Sequence, residues 1–142
     1  MYSRILTATD GSPLSRRAVR AAAELAGATG ARLTVLHVVS PYLQSAGISL
    51  AKLPGYGRAV DKAARGVLAA ARAQARACNV NAEAATVVGG DPWKAILREA
   101  GARGCDLIVM ASHGRRGLKG LILGSETAKV LAHAKVPVLV CR

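Results

Sequence analysis

Two short segments hold the residues that could do chemistry, and each sits where an apolar run meets glycine. The first is Ala8-Thr9-Asp10-Gly11. The second is Ala111-Ser112-His113-Gly114, which continues through Gly117, Gly120 and Gly124 to Ser125. Glycine lets backbone N–H groups approach an anion closely, and the first-turn amides of a helix opening at Ser125 have no intrahelical acceptors. A phosphate cradle is one outcome. Arg115, Arg116 and Lys119 put three cations on the same stretch. The plainer outcome is that the glycines permit turns and Ser125 caps a helix. Asp10 divides in the same way, since its carboxylate can accept from hydroxyl groups of a ligand or close an Asx turn of its own. His113 suits a hydrogen bond within its turn better than catalysis, and Ser112 beside it makes no triad by adjacency.

Motifs for other chemistry are missing. No Gly-Lys-Ser/Thr places a lysine on a transferring phosphoryl group, and no Gly-x-Gly-x-x-Gly follows the first strand. His37, His113, His133 and the three cysteines have no metal-ligand spacing. Neither a catalytic residue nor a metal site is expected.

The elements that must position these segments follow from periodicity and turn residues. Arg4 to Thr9 is a short β-branched run; Ser12 caps a helix with Pro13 at its first position, and Gly30 lies just past its end. A second strand covers Ala31 to Val39. Ser40 to Gly57 is turn-rich and reads as a long loop with at most one short helical turn. A long helix covers Arg58 to Cys78, a third strand Ala82 to Val88, and a third helix runs to Ala102 with Asp91 as cap and Pro92 first. Asp106 to Ala111, a helix from Gly124-Ser125 to Ala134, and a strand from Val136 to Cys141 complete the order. Strands and helices alternate throughout. That predicts one α/β domain over residues 1–142, a five-stranded parallel open sheet with helices on both faces. Ligands of such sheets bind beyond the carboxyl ends of the strands where the winding reverses, which favours the two glycine-bearing segments if their strands are neighbours.

Composition narrows the class. The chain has 142 residues, 51% of them hydrophobic and 20% charged, enough for one buried core. No run approaches the roughly 18 apolar residues that cross a bilayer, and the first residues do not resemble a signal peptide, so a cytoplasmic protein without membrane contact is expected. Cys78, Cys105 and Cys141 are read as reduced small hydrophobes. Lys and Arg number 20 against 8 Asp and Glu, a net charge of +12 that invites an anionic partner. Aromatic residues are only 3%, too few for the stacking platforms of single-strand binders. On the long helix Arg58, Lys62, Arg65, Arg72 and Arg76 fall within an arc of about 80°. This stripe is either a solvated face or a track for a nucleic-acid backbone.

The stretch VMASHGRRGLKGLILGS, the helix after it and the final VPVLVCR resemble the universal stress protein family of single-domain type, with similarity over nearly the whole chain. ATP-binding members carry Gly, two residues, Gly, nine residues, then Gly and Ser or Thr. Gly114, the nine residues Arg115 to Leu123, Gly124 and Ser125 match; Ala111 stands where the pattern begins with Gly. The resemblance implies an adenine-nucleotide alpha-hydrolase-like, Rossmann-like fold and a module that binds ATP, with or without Mg, and signals stress or energy state with at most slow hydrolysis. It implies that Ala8, Thr9 and Asp10 lie near the adenosine. Val38 and Met110 would line the adenine pocket, with His113 and Arg115 close by. Gly114, Gly124 and Ser125, with the backbone of Glu126 and Thr127, would hold the phosphates, and the Glu126 carboxylate should point away from them. At Ala111 a methyl group would sit where backbone nears the ligand. The last strand, 136–141, would form a homodimer about a two-fold axis. The alternatives are a nucleotide-free interaction member of the family and a nucleic-acid-associated protein using the basic stripe.

Overall fold

A strand, a helix and the next strand can lie in one sheet only if the helix crosses over its face, so alternation of this kind dictates parallel pairing. The computed structural model, which describes residues 1–40, 42–43, 48–49, 52–114 and 123–142, has this arrangement. Its elements are β1 (Arg4–Ala8), α1 (Pro13–Thr29), β2 (Arg32–Val39), β3 (Tyr42–Leu43), β4 (Ile48–Ser49), α2 (Tyr56–Ala77), β5 (Glu83–Val88), α3 (Pro92–Ala102), β6 (Leu107–Ala111), α4 (Ser125–His133) and β7 (Val138–Cys141). The main sheet is ordered β5-β2-β1-β6-β7, and every pair in it is parallel. The chain therefore starts in the middle, builds outward through β2 to β5, and returns along α3 to build the other half. Its winding reverses between β1 and β6, which pair through Ile5–Leu107, Leu6–Ile108 and Thr7–Val109.

Alternation along each strand sorts side chains between two cores. Ile5, Leu33, Val35, Leu107 and Val109 pack under α1 and α2 with Val19 and a set of alanines; Leu6, Leu36, Ile108 and Met110 pack under α3 and α4 with Ile96 and Val130. Each fully buried Leu or Ile contributes about 1.5–3 kcal/mol. The first helix follows its turn signals: Ser12 Oγ accepts from the Ser15 amide at 3.2 Å, Pro13 is the first residue, and Gly30 ends the helix at φ 71°.

Several boundaries differ from the sequence expectation. The region 40–57 is not an unbroken loop, because Tyr42–Leu43 and Ile48–Ser49 form an antiparallel pair. Two residues per strand are too few to show a period. The second helix opens at Tyr56 rather than Arg58, and the last strand at Val138, since Pro137 has no N–H to give to the ladder and contributes only its carbonyl, to the Ile108 amide at 3.0 Å. Asp91 holds the N-cap position of α3 without bonding the helix amides; its carboxylate turns to Lys94 Nζ at 3.1 Å, and the cap arrives from another helix.

Asp106 fixes where β1 enters the sheet. Its carboxylate accepts from the Ser3 amide at 2.8 Å and the Arg4 amide at 3.0 Å, and these backbone hydrogen bonds hold its pKa below the usual value. A lowered folded pKa stabilises above the unfolded value of about 3.9 and ceases to do so as pH falls through the folded one. Urea midpoints measured from about pH 5 down to pH 3 should therefore drop more steeply for the native chain than for Asp106→Asn.

Candidate functional site

At the switch point the carboxyl ends of β1 and β6 lie side by side, and the turns that follow them meet. After β1, the Ser12 amide donates to Asp10 Oδ1 at 2.9 Å, which is an Asx turn, and the Gly11 amide donates to Thr9 Oγ1 at 3.1 Å. Thr9 Oγ1 also lies 2.9 Å from Ser15 Oγ, so the turn is tied to the first turn of α1. After β6, the Gly124 amide donates to the Ser112 carbonyl at 2.6 Å, closing the stretch between them back onto the strand end. Two glycines make this meeting possible. A Cβ on Gly114 would stand 2.6 Å from Asp10 Oδ2, and one on Gly124 would stand 3.0 Å from His113 Cα and 3.2 Å from the Ser112 carbonyl oxygen. At Gly114 the Asp10 carboxylate would have to move aside, and at Gly124 the backbone of residues 112 and 113 would have to give by a few tenths of an ångström. The spacing that sequence reading assigned to ligand contact therefore also serves the chain's own packing.

The positions of the expected site residues are as follows. Ala8, Thr9, Asp10, Ala111, His113, Gly114, Gly124, Ser125, Glu126 and Thr127 gather around this crossing, while Arg115 and the rest of 115–122 lie outside the described residues. Val38 and Met110 share one face of the sheet; Met110 is buried and Val38 packs against the same cluster, so both are core side chains. Ala111 is buried on the opposite face, in the cluster under α1 and α2, and its carbonyl accepts from Thr127 Oγ1 at 2.8 Å. The methyl group that replaces the pattern's first glycine packs into that core. His113 Nδ1 lies 3.2 Å from Ser112 Oγ, a contact within its own turn.

The start of α4 has no side-chain cap. Gly124 is the N-cap and brings no side chain to the helix, which leaves Ser125 at the first helical position rather than as the cap. The amides of Ser125, Glu126 and Thr127 precede the first helical bond, from Ala128 to the Gly124 carbonyl at 2.9 Å. Thr127 has its hydroxyl committed to Ala111, and the exposed Ser125 side chain faces solvent. The Glu126 carboxylate is engaged by other groups: Oε2 accepts from the Trp93 amide at 2.9 Å, which caps α3, and Oε1 lies 3.8 Å from Lys129 Nζ.

Two participants were not foreseen. His37 Nδ1 lies 2.8 Å from the Thr9 carbonyl, and since a carbonyl only accepts, the neutral ring carries its proton on Nδ1 and pins the end of β1. A histidine beside Val38 at the end of a strand was the available signal. Arg16 joins Thr9, Gly11, Gly66, Val67, Ala70 and Ala71 in lining a cleft of about 190 Å³. That cleft opens on the α1–α2 side of the sheet, opposite the face of Val38 and Met110.

With this geometry in view, the comparisons with known proteins are direct. The model of the universal stress protein family matches residues 1–142. A universal stress protein of Thermus aquaticus is 37% identical over 143 residues, covering all of both chains. A universal stress protein solved in complex with cAMP superposes with a TM-score of 0.76 at 29% identity, over 99% of this chain and 97% of that one. One from Archaeoglobus fulgidus, in complex with dAMP, gives 0.73 at 26% identity over 99% and 98%. This chain belongs to the universal stress protein family and has its adenine-nucleotide alpha-hydrolase-like fold.

Because Glu126 supplies the cap that Asp91 does not, Glu126→Ala should cost about 1 kcal/mol, lowering the melting temperature by about 3 °C. Asp91→Ala, which breaks only an exposed pair with Lys94, should change it by less than about 1 °C in the same differential scanning measurement.

Proposed function

We propose that this protein is a cytoplasmic module that binds ATP between the ends of β1 and β6 and conveys stress or energy state through that binding, with at most slow hydrolysis. The observation that carries this is the coincidence, at the reversal of winding, of an uncapped α4 N-terminus with a turn bearing Asp10. The complexes of two neighbours with cAMP and dAMP support the same ligand class. Adenine would lie against Val38 and Met110, the ribose hydroxyls would donate to Asp10, and the phosphates would accept from Ser125, Glu126 and Thr127 amides, with Gly114, Gly124 and Arg115 lining their path. His113 and the Ala8–Thr9 backbone would border the sugar. Among the described residues no group of three His, Cys, Asp or Glu could hold a metal ion. Magnesium would travel with the phosphate oxygens and water.

Binding is linked to folding. At free ATP a hundredfold above Kd the protein should gain about 2.7 kcal/mol, a rise of about 9 °C in melting temperature for a domain of this size. Ser125→Asp separates the phosphate contact from the fold. A carboxylate at the first helical position favours the helix dipole, so the free protein should melt no lower, yet the ATP response should vanish. Gly124→Asp would not make this distinction, since its Cβ meets the backbone of residues 112–113. An unchanged melting temperature in millimolar ATP with magnesium would overturn the assignment and leave the nucleotide-free interaction role.

We further infer a homodimer through β7. This strand is a sheet edge with β6 on one side, and Leu139 is 43% exposed. Pairing of two such edges about a two-fold axis would cover both. Sedimentation at tens of micromolar should give twice the mass of 14.6 kDa, and a single-chain mass would refute the pairing.

A further inference from the structure

Half of the net positive charge of this chain stands on one helical layer. On α1 and α2 stand Arg16, Arg17, Arg20, Arg58, Lys62, Arg65, Arg72 and Arg76 against two acids, Glu24 and Asp61. Only Arg72 among these cations is partly buried; the others are exposed. The opposite layer is balanced: Lys94 pairs with Asp91 at 3.1 Å, Lys129 with Glu126 at 3.8 Å, and Arg98 with Glu99 at 3.9 Å. Arg20 has Glu24 at 2.8 Å, but none of the five cations of α2 takes part in an ion pair among the described residues. Charge kept only for solubility is best interspersed, whereas a single-sign field repels itself and is maintained where an opposite charge is to be met.

We propose that the outer face of α2, flanked by Arg16 and Arg17 of α1, is a docking surface for the phosphate backbone of duplex DNA. From Arg58 to Arg76 the stripe runs about 27 Å, the length of about eight phosphates along one strand. Between the cations the exposed positions are Ala59, Ala63, Gly66, Ala69, Ala70 and Ala73, small residues that let a backbone come against the helix, and a single acid, Asp61. The same positions speak against a membrane, because an interfacial helix needs large apolar residues to insert. A single strand would need aromatic platforms, and Tyr56 is the one aromatic residue on the two helices. Recognition would be by charge and shape, independent of base sequence. It rests on residues other than those assigned to the nucleotide, although Arg16 and the middle of α2 border the turn after β1.

The test is fluorescence anisotropy of a labelled mixed-sequence duplex of about 24 base pairs, from about 50 to about 200 mM salt. Five phosphate contacts predict a slope of log K against log salt of about −4 to −5. Arg65→Gln/Arg72→Gln/Arg76→Gln should reduce that slope by nearly 3 and weaken binding by two to three orders of magnitude at about 0.1 M salt. Lys94→Gln/Arg98→Gln/Lys135→Gln, which removes as much charge from elsewhere, should leave the slope within one unit. Circular dichroism checks that each variant folds; if the first does not, the exposed pair Lys62→Gln/Arg65→Gln should still lower the slope by nearly 2. Absence of binding at the lowest salt overturns the proposal. So do equal effects of the two triple variants, or tighter binding to anionic phospholipid vesicles than to the duplex.

Discussion

The site depends on how closely two turns can cross. β1 and β6 are paired neighbours, so the segments leaving their ends must share the few ångströms beyond the sheet, and glycine at two positions eases that approach. Gly114 lies against the Asp10 carboxylate, and Gly124 passes beneath Ser112 and His113 close enough to donate to the Ser112 carbonyl. That crossing sets the first amides of α4 beside the end of β6.

Two devices keep that helix end available. Gly124 withholds a capping side chain, and Glu126, the acid one would expect to compete with a bound anion, is drawn off to the Trp93 amide. One carboxylate therefore ties α3 to α4 while its charge is held at the start of α3. Trp93 is held further by His133, whose ring centre is 4.7 Å from its own, and by Lys94 above it at 5.4 Å. On the opposite side of the sheet, His37 and Ser15 hold Thr9 from two directions. The turn bearing Asp10 is thereby pre-organised, which lowers the ordering cost that a ligand would have to meet.

The two helical layers have come to different electrostatic solutions on one scaffold. The layer of α3 and α4 is neutralised locally and braces the site, whereas the layer of α1 and α2 carries nearly all its cations unopposed. Alanine makes this workable. It pays no side-chain entropy in a helix, packs α2 through Ala64, Ala71 and Ala75, and leaves the outward face smooth between long basic side chains.

The amino-acid sequence by itself determined the alternation of five strands with four helices, and with it the parallel sheet, because period and turn residues are local properties. It also determined which segments bear glycine next to polar residues. It could not show the two-residue pair at Tyr42–Leu43 and Ile48–Ser49, which is shorter than any period, nor that Asp91 would lose its capping role to Glu126, since a cap from 33 residues away leaves no local mark. Likewise the direction of the Ala111 methyl, the bond from His37 to Thr9 and the close packing at Gly114 and Gly124 were decided by tertiary structure alone. Each depends on which atoms of distant segments are brought together, and that is set by strand order rather than by spacing along the chain.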